Sequence, residues 1–294
     1  MPDASTQPTA AGMRLRLRHL TRFLYEGAVM ESHNELRLRP IDDALQECLS
    51  YELRLNPKAT VSSRTDFHRN VVEHFELHQA HESLEIEAVS TVQTYPESRP
   101  EPPPGLGLER LNDPSVDGDF FDFLAESKLA PVNRGIWREA VDILAAPVAD
   151  LWRDALKLAA HIHRSFRYVP NSTAVHTDGA SALQQKQGVC QDYAHALISL
   201  CRSQQIPARY VSGYFYNGNT GDQNEASHAW VEIFVPGQGW RGWDPTHDRA
   251  PDTRYVRLAS GRDYQDVKPV AGHFLGRGTK RMEVEVQICE AKPL

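Results

Sequence analysis

The sequence predicts an α+β protein: an amino-terminal antiparallel β-sandwich domain, then a core of mixed helices and strands. Three observations carry this. From Met13 to Thr94 the chain reads as short β-forming runs with period-two alternation, separated by turn residues. Between Tyr95 and Pro104 the prolines Pro96, Pro100, Pro102, Pro103 and Pro104 interrupt any regular element. Beyond Pro147 the apolar spacing becomes helical, and strand-like runs follow.

In order, residues 1–12 are polar and small and read as a disordered leader. The β-domain is expected over 13–95. Met13, Leu15 and Leu17 alternate with Arg14, Arg16 and Arg18, which reads as an edge strand with a solvated arginine face. Further strands are expected at Asn34–Arg39, Leu49–Leu55, Ala59–Arg64, Val71–Leu77 and Leu84–Thr94, with Asp66–Asn70 as a hairpin connection. Many short strands with regular turn signals suggest a sandwich. Residues 96–146 read as an extended linker and helical lead-in with a short apolar piece, Phe120–Leu124. The core is expected over 147–294.

Within it, Leu151, Ala155, Leu158, Ile162 and Phe166 form the stripe of a helix over Pro147–Phe166. Asp178 can cap a short helix from Gly179 to Lys186. Gly188-Val-Cys-Gln-Asp-Tyr-Ala-His195 follows, and Val189, Tyr193, Leu197 and Leu200 start another helical face that Pro207 ends. Strands are then expected at Arg209–Tyr216, Ser227–Val235, Gly239–Asp244 and Arg281–Ile288. Asn217 to Glu225 is a polar loop with Gly218 and Gly221, placed to gate or contact a ligand beside His228.

Cys190 thus stands at a helix start, where free backbone N–H groups and the positive dipole end favour a thiolate. His228 opens one strand and Asp244 ends the next. Pro236-Gly-Gln-Gly239 would join these strands as a hairpin and bring the two side chains together. A nucleophile, a base and a carboxylate that fixes the base are what a weak thiol nucleophile needs. His195 is five residues along the Cys190 helix, on a different face, and is a poor rival base. His247 and Asp248 follow Pro245 in a loop. Trp230 and Trp243 adjoin the base and the carboxylate in sequence and are expected to wall the acyl site. For the oxyanion, the Cys190 backbone N–H is available. Tyr214 is a side-chain candidate, as is Gln184, although Gln185 and Gln187 are equally near.

These residues resemble the transglutaminase-like superfamily. The match runs through Gly188-Val-Cys-Gln-Asp-Tyr-Ala-His195, Arg209-Tyr-Val-Ser-Gly-Tyr214, Ser227-His-Ala-Trp-Val-Glu232 and Gly242-Trp-Asp-Pro-Thr246. Leu15 to Tyr25 and His33 to Pro40 resemble the β-domain that precedes this core in a bacterial subfamily. The resemblance implies a papain-like, transglutaminase-like core with a Cys190–His228–Asp244 triad. It implies acyl transfer from a peptide or glutamine carboxamide through a thioester. Water as acceptor makes a cysteine peptidase or amidase, the reading favoured because an accessible site meets more water than amine. An amine makes a protein-glutamine transglutaminase. A non-catalytic binding module on the same fold is the third reading, and the intact set of three residues argues against it. The cysteine of arylamine N-acetyltransferases lies much nearer the start, and the paired Cys-x-x-Cys motifs of peptide N-glycanases are missing here.

No cofactor is expected. The pairs His161/His163 and His74/His78 find no further ligands at good spacing, and no calcium loop is present, so no metal site is expected. The four cysteines form no Cys-x-x-Cys pair, the leader has no apolar segment, and no run is long enough for a membrane span. A cytoplasmic protein acting on a protein or peptide is the expectation. The formal net charge of −7 argues against a nucleic-acid partner.

Overall fold

The computed structural model describes residues 12–113, 120–170, 177–218, 227–276 and 280–291. Its elements are the strands β1 (Met13–Leu36), β2 (Gln46–Asn56), β3 (Ser62–Thr65), β4 (Val71–Leu77) and β5 (His81–Thr94), then the helices α1 (Arg134–Leu144) and α2 (Leu151–Ser165). After β6 (Arg167–Tyr168) come α3 (Gly179–Gln185), β7 (Gln187–Gly188) and α4 (Cys190–Ser203). The chain closes with β8 (Ala208–Phe215), β9 (Ser227–Val235), β10 (Gly239–Trp243), β11 (Tyr255–Gly261), β12 (Val270–Gly276) and β13 (Lys280–Glu290).

The amino-terminal part is antiparallel, as its alternation predicts. It is built around β1, a single strand of 24 residues. Met13–Leu24 pairs with β5, and β2 lies beyond; Ser32–Leu36 pairs with β4, and β3 lies beyond. A register shift between Leu24 and Val29 separates the two halves, as a bulge does. The halves face each other across an apolar core of Phe23, Leu84 and Ile86 against Leu36, Leu38, Phe75 and Leu77, so one hydrogen-bonded sheet makes the sandwich.

Two expectations need correction here. β1 is an inner strand, because β13 pairs along its other side from Leu15 to Tyr25 and β12 from Val29 to Leu36. Its arginines therefore face glutamates on neighbouring strands: Arg18 Nε is 2.6 Å from Glu87 and Arg22 Nε is 2.8 Å from Glu85. The carboxyl-terminal strands, grouped with the core by sequence order, thus belong to the amino-terminal sheet.

The second part carries a four-stranded antiparallel sheet, ordered β10-β9-β8-β11. Ala229, Val231 and Ile233 of β9 pack with Tyr193, Ala196, Leu197 and Leu200 of α4 in one buried cluster, which α1 and α2 complete. α1 is capped by Asn133, whose side chain accepts from Gly135 and Ile136, and α2 by Asp150, which accepts from Arg153 N. Asp178 caps α3 through Ser181 N at 2.7 Å, as the sequence predicts.

The proline-rich segment is docked rather than free. Arg99 donates to the carbonyls of Gln238 and Trp240, and Glu101 accepts from Trp152 Nε1 at 2.8 Å. The two parts are also joined by polar pairs. Glu232 of β9 binds Arg209 and Arg257 at 2.7 Å each, and Arg257 reaches Asp43. Asn70 pairs in both directions with the Ser260 backbone.

Candidate active site

α4 begins at Cys190, with Val189 as its extended N-cap. The turn is fixed from both sides. β7 forms a short parallel pair with β6, and Val169 N donates to Gly188 O at 3.0 Å. Asp192 reaches back to accept from Val189 N at 2.7 Å. A Cβ at position 188 would lie 2.3 Å from Asp192 Oδ2, so a glycine is required there. The N–H groups of Cys190 and Gln191 precede the intrahelical ladder, and both residues line the cleft.

β9 presents His228 at its start, opposite Gly213 of β8. Nε2 of His228 is 2.7 Å from Asp244 Oδ2, and the other ring nitrogen is free to meet Cys190, to which the imidazole is hydrogen-bonded. The structure thus brings together the three residues that the sequence singled out. Burial alone would lower the His228 pKa; the bonds to Asp244 and Cys190 overcome it and hold the group above its ordinary value. Burial alone would raise the Asp244 carboxyl, yet the bonds from His228 and His247 hold it below the usual carboxylate range.

Asp244 is fully buried and organises the loop after β10. Its Oδ2 takes three partners at 2.7 Å: His228 Nε2, His247 Nδ1 and the Tyr255 hydroxyl. Its Oδ1 accepts from Thr246 N at 2.8 Å. His247, set aside by the sequence reading as a loop residue, is thus a direct partner of the carboxylate. Tyr255 is brought in by β11, and no sequence signal marked it.

The cleft that holds Cys190 and His228 has a volume of about 230 Å³. Tyr210, Tyr214, Leu258, Val270, Met282 and Val284 are among its walls. His19 and Thr21 of β1 also line it, so the amino-terminal sheet supplies one side. His19 Nδ1 lies 2.8 Å from the Tyr214 hydroxyl and Nε2 lies 3.1 Å from Thr21 Oγ1. Burial pushes the His19 pKa down to about 4, so the ring is neutral near pH 7. A signal for His19 was present: it continues the inward-facing series Leu15, Leu17 and so is a polar residue at an apolar position.

Tyr214 stands in the cleft as expected. Gln184 does not: it is exposed at the end of α3 and is not among the lining residues. Trp230 and Trp243 are corrected as well. Both line a separate cavity of about 290 Å³, beside Trp240 and Glu97. Trp230 backs His228 from there, its ring 6.4 Å away and nearly parallel. Trp230 shares the His228 face of β9 but lies two residues further along the strand, beside the second cavity. His195 is buried and stacked on Tyr210 at 5.0 Å, apart from the triad. The gating loop expected at 217–225 lies, from Asn219 on, outside the described residues.

Residues 140–245 match the model of the transglutaminase-like superfamily, and residues 15–93 match that of the bacterial transglutaminase-like N-terminal region. An uncharacterised protein of Mycobacterium leprae is 32% identical over 279 residues, which are 94% of this chain and 98% of that one. The chain belongs to the transglutaminase-like superfamily. An uncharacterised relative in Mycobacterium tuberculosis is 30% identical over 290 residues, 90% of this chain and 88% of that one. A protein-glutamine gamma-glutamyltransferase of Pseudomonas aeruginosa is 35% identical over 102 residues, 31% of this chain and 15% of that protein. Among solved structures, a proposed cysteine protease from Cytophaga hutchinsonii superposes with a TM-score of 0.78 at 19% identity, over 97% of this chain and 93% of that one. That likeness shows the same fold over both parts.

Proposed function

We propose that this superfamily member is a cysteine acyl-transfer enzyme that hydrolyses carboxamides of peptides or proteins. The observation that carries the reading is the 2.7 Å contact of His228 with buried Asp244 while the same imidazole meets Cys190. A protonated His228 favours a thiolate at Cys190. The sulfur attacks the carbonyl carbon, and the carbonyl π electrons move to oxygen. The backbone N–H of Cys190 donates to that oxygen at the helix start. As the intermediate collapses, the C–N bond breaks and His228 gives its proton to the leaving nitrogen. A thioester remains. Water, deprotonated by His228, then attacks it, releasing the acid and regenerating the thiol pair. The mostly apolar walls suit an apolar side chain beside the scissile carboxamide.

The second reading keeps every step but the last. A primary amine replaces water, and the product is an isopeptide or substituted amide. The stretch similar to the Pseudomonas protein-glutamine gamma-glutamyltransferase favours it. Mass spectrometry of a peptide library, incubated with and without a primary amine, separates the two. Cleaved backbones or deamidated glutamines support hydrolysis; amine adducts formed in preference to acids overturn it in favour of transamidation. Unchanged peptides in both arms, identical to Cys190→Ala, refute catalysis. We place the enzyme in the cytoplasm, a reading supported by four free cysteines, and no described helix is long and apolar enough to cross a membrane.

A further inference from the structure

A second group of chemistry-bearing side chains lies on the other half of β1 from His19 and Thr21. Sequence order hides it, because its members come from three strands. β1 places His33 opposite Glu76 of β4 on one side and opposite His273 of β12 on the other. His74 stands on the same face of β4 as Glu76 by period-two alternation, and His78 follows directly after the strand. His33 Nδ1 is 3.0 Å from Glu76 Oε1, and His74 Nε2 is 3.6 Å from the same oxygen. An ion about 2.1 Å from each of three such atoms needs donor separations of roughly 3–3.5 Å. Both histidines are thus near that spacing from the carboxylate, and all three donor atoms lie within 4.8 Å of one another. All three side chains are about one-third exposed, at 30%, 34% and 39%, so an ion and a completing water can reach them.

We propose that the amino-terminal sheet carries a zinc site, with His33 Nδ1, His74 Nε2 and the Glu76 carboxylate as ligands. The surroundings are those a metal site requires. His33 Nε2 is 2.8 Å from Glu31 Oε1, which would keep the Nε2–H in the zinc-bound form, while the ion would take the place of the proton that Nδ1 now donates to Glu76. His78 Nε2 is 3.1 Å from Glu76 Oε2 and holds the carboxylate from its far side. The His273 ring stacks on His33 at 4.8 Å and 16°, setting the plane of the ligand ring. Two imidazoles and one carboxylate suit zinc; calcium and magnesium prefer all-oxygen sets. The grouping of His228, Asp244 and His247 is a weaker candidate. It is mostly buried, and Asp244 Oδ2 is already committed to His228, His247 and Tyr255. A bound zinc would clamp β1 to β4 and, through His273, steady β12.

The test is calorimetric titration of chelator-stripped full-length protein with zinc chloride, with cobalt(II) as a spectroscopic reporter. Close to one equivalent of zinc should bind per chain and raise the melting temperature. The double variant His33→Ala, His74→Ala should lose that equivalent and the thermal shift. Glu31→Gln keeps all three ligands and should weaken binding about 10- to 100-fold; it also serves if the double variant does not fold. Cobalt(II) should give d–d bands of a tetrahedral nitrogen–oxygen site without a thiolate charge-transfer band. The proposal is overturned if the wild type binds no stoichiometric zinc, or if a folded double variant keeps the equivalent. A thiolate charge-transfer band that vanishes in Cys190→Ser would equally overturn it, by placing the ion in the cleft.

Discussion

Cys190, Cys48, Cys201 and Cys289 are all free, yet they meet different surroundings. Burial raises the Cys48 and Cys201 thiols, the latter inside the α4 core. Cys190 alone has a helix start and an imidazole partner. Iodoacetamide near neutral pH should label Cys190 first, and His228→Ala should slow that labelling at least tenfold; equal rates at Cys190 and Cys289 would remove the case for activation. The carboxylate invites a graded test. Asp244→Asn breaks the partner of His228 and should lower kcat/KM on the order of 10³-fold or more. Tyr255→Phe removes one of three bonds to Asp244 Oδ2 and should lower it about tenfold. A Tyr255→Phe loss as large as that of Asp244→Asn would mean that the hydroxyl touches substrate.

Arg202 closes α4 and is fully buried. Its guanidinium donates to the carbonyls of Phe123, Ala125, Ala208 and Arg262 and to Ser127 Oγ. It therefore fastens the segment before α1, the start of β8 and the end of β11 to the nucleophile helix. Arg202→Met keeps much of the volume and strands these acceptors, each worth about 1–3 kcal/mol when left unpaired. Urea denaturation should show a loss of at least about 3 kcal/mol; a loss under 1 kcal/mol would mean that water replaces the guanidinium. At the same scale, β13 completes the cluster of Leu15, Leu17, Val286 and Ile288 against Tyr214 and Leu258. Ending the chain before β12 should yield insoluble protein, although the residues carrying the triad are intact.

Across the whole molecule, buried histidines set the pH dependence of stability. His19 and His195 have values lowered by burial, the former to about 4, against about 6.5 unfolded. Between those values the unfolded chain binds more protons, so stability falls as pH drops through that window. His228 has the opposite sign. Its raised value stabilises fully below about 6.5 and loses this contribution as pH rises toward the folded value. Urea midpoints should therefore peak near neutral pH and decline on both sides; a steady rise from acid to alkaline pH would show that His228 is not held charged.

The meeting of Cys190, His228 and Asp244 was legible because its geometry is local: a helix start follows Gly188, and a three-residue turn sets His228 beside Asp244. The β-domain was legible because period-two alternation survives any strand order. Strand order itself was not. That β1 is internal follows from β12 and β13 returning across about 250 residues of chain to pair with it, and no local pattern carries that pairing. The same limit explains the misplaced tryptophans and the missed roles of His19 and Tyr255, since packing between distant elements sets which cavity a strand residue lines. The sequence by itself determined that Cys190, His228 and Asp244 would meet, because hydrogen-bonding reach along neighbouring elements is short. Only the tertiary structure decided which sheet walls the cleft and which histidines meet on β1, β4 and β12, because those contacts are made by strands far apart in the chain.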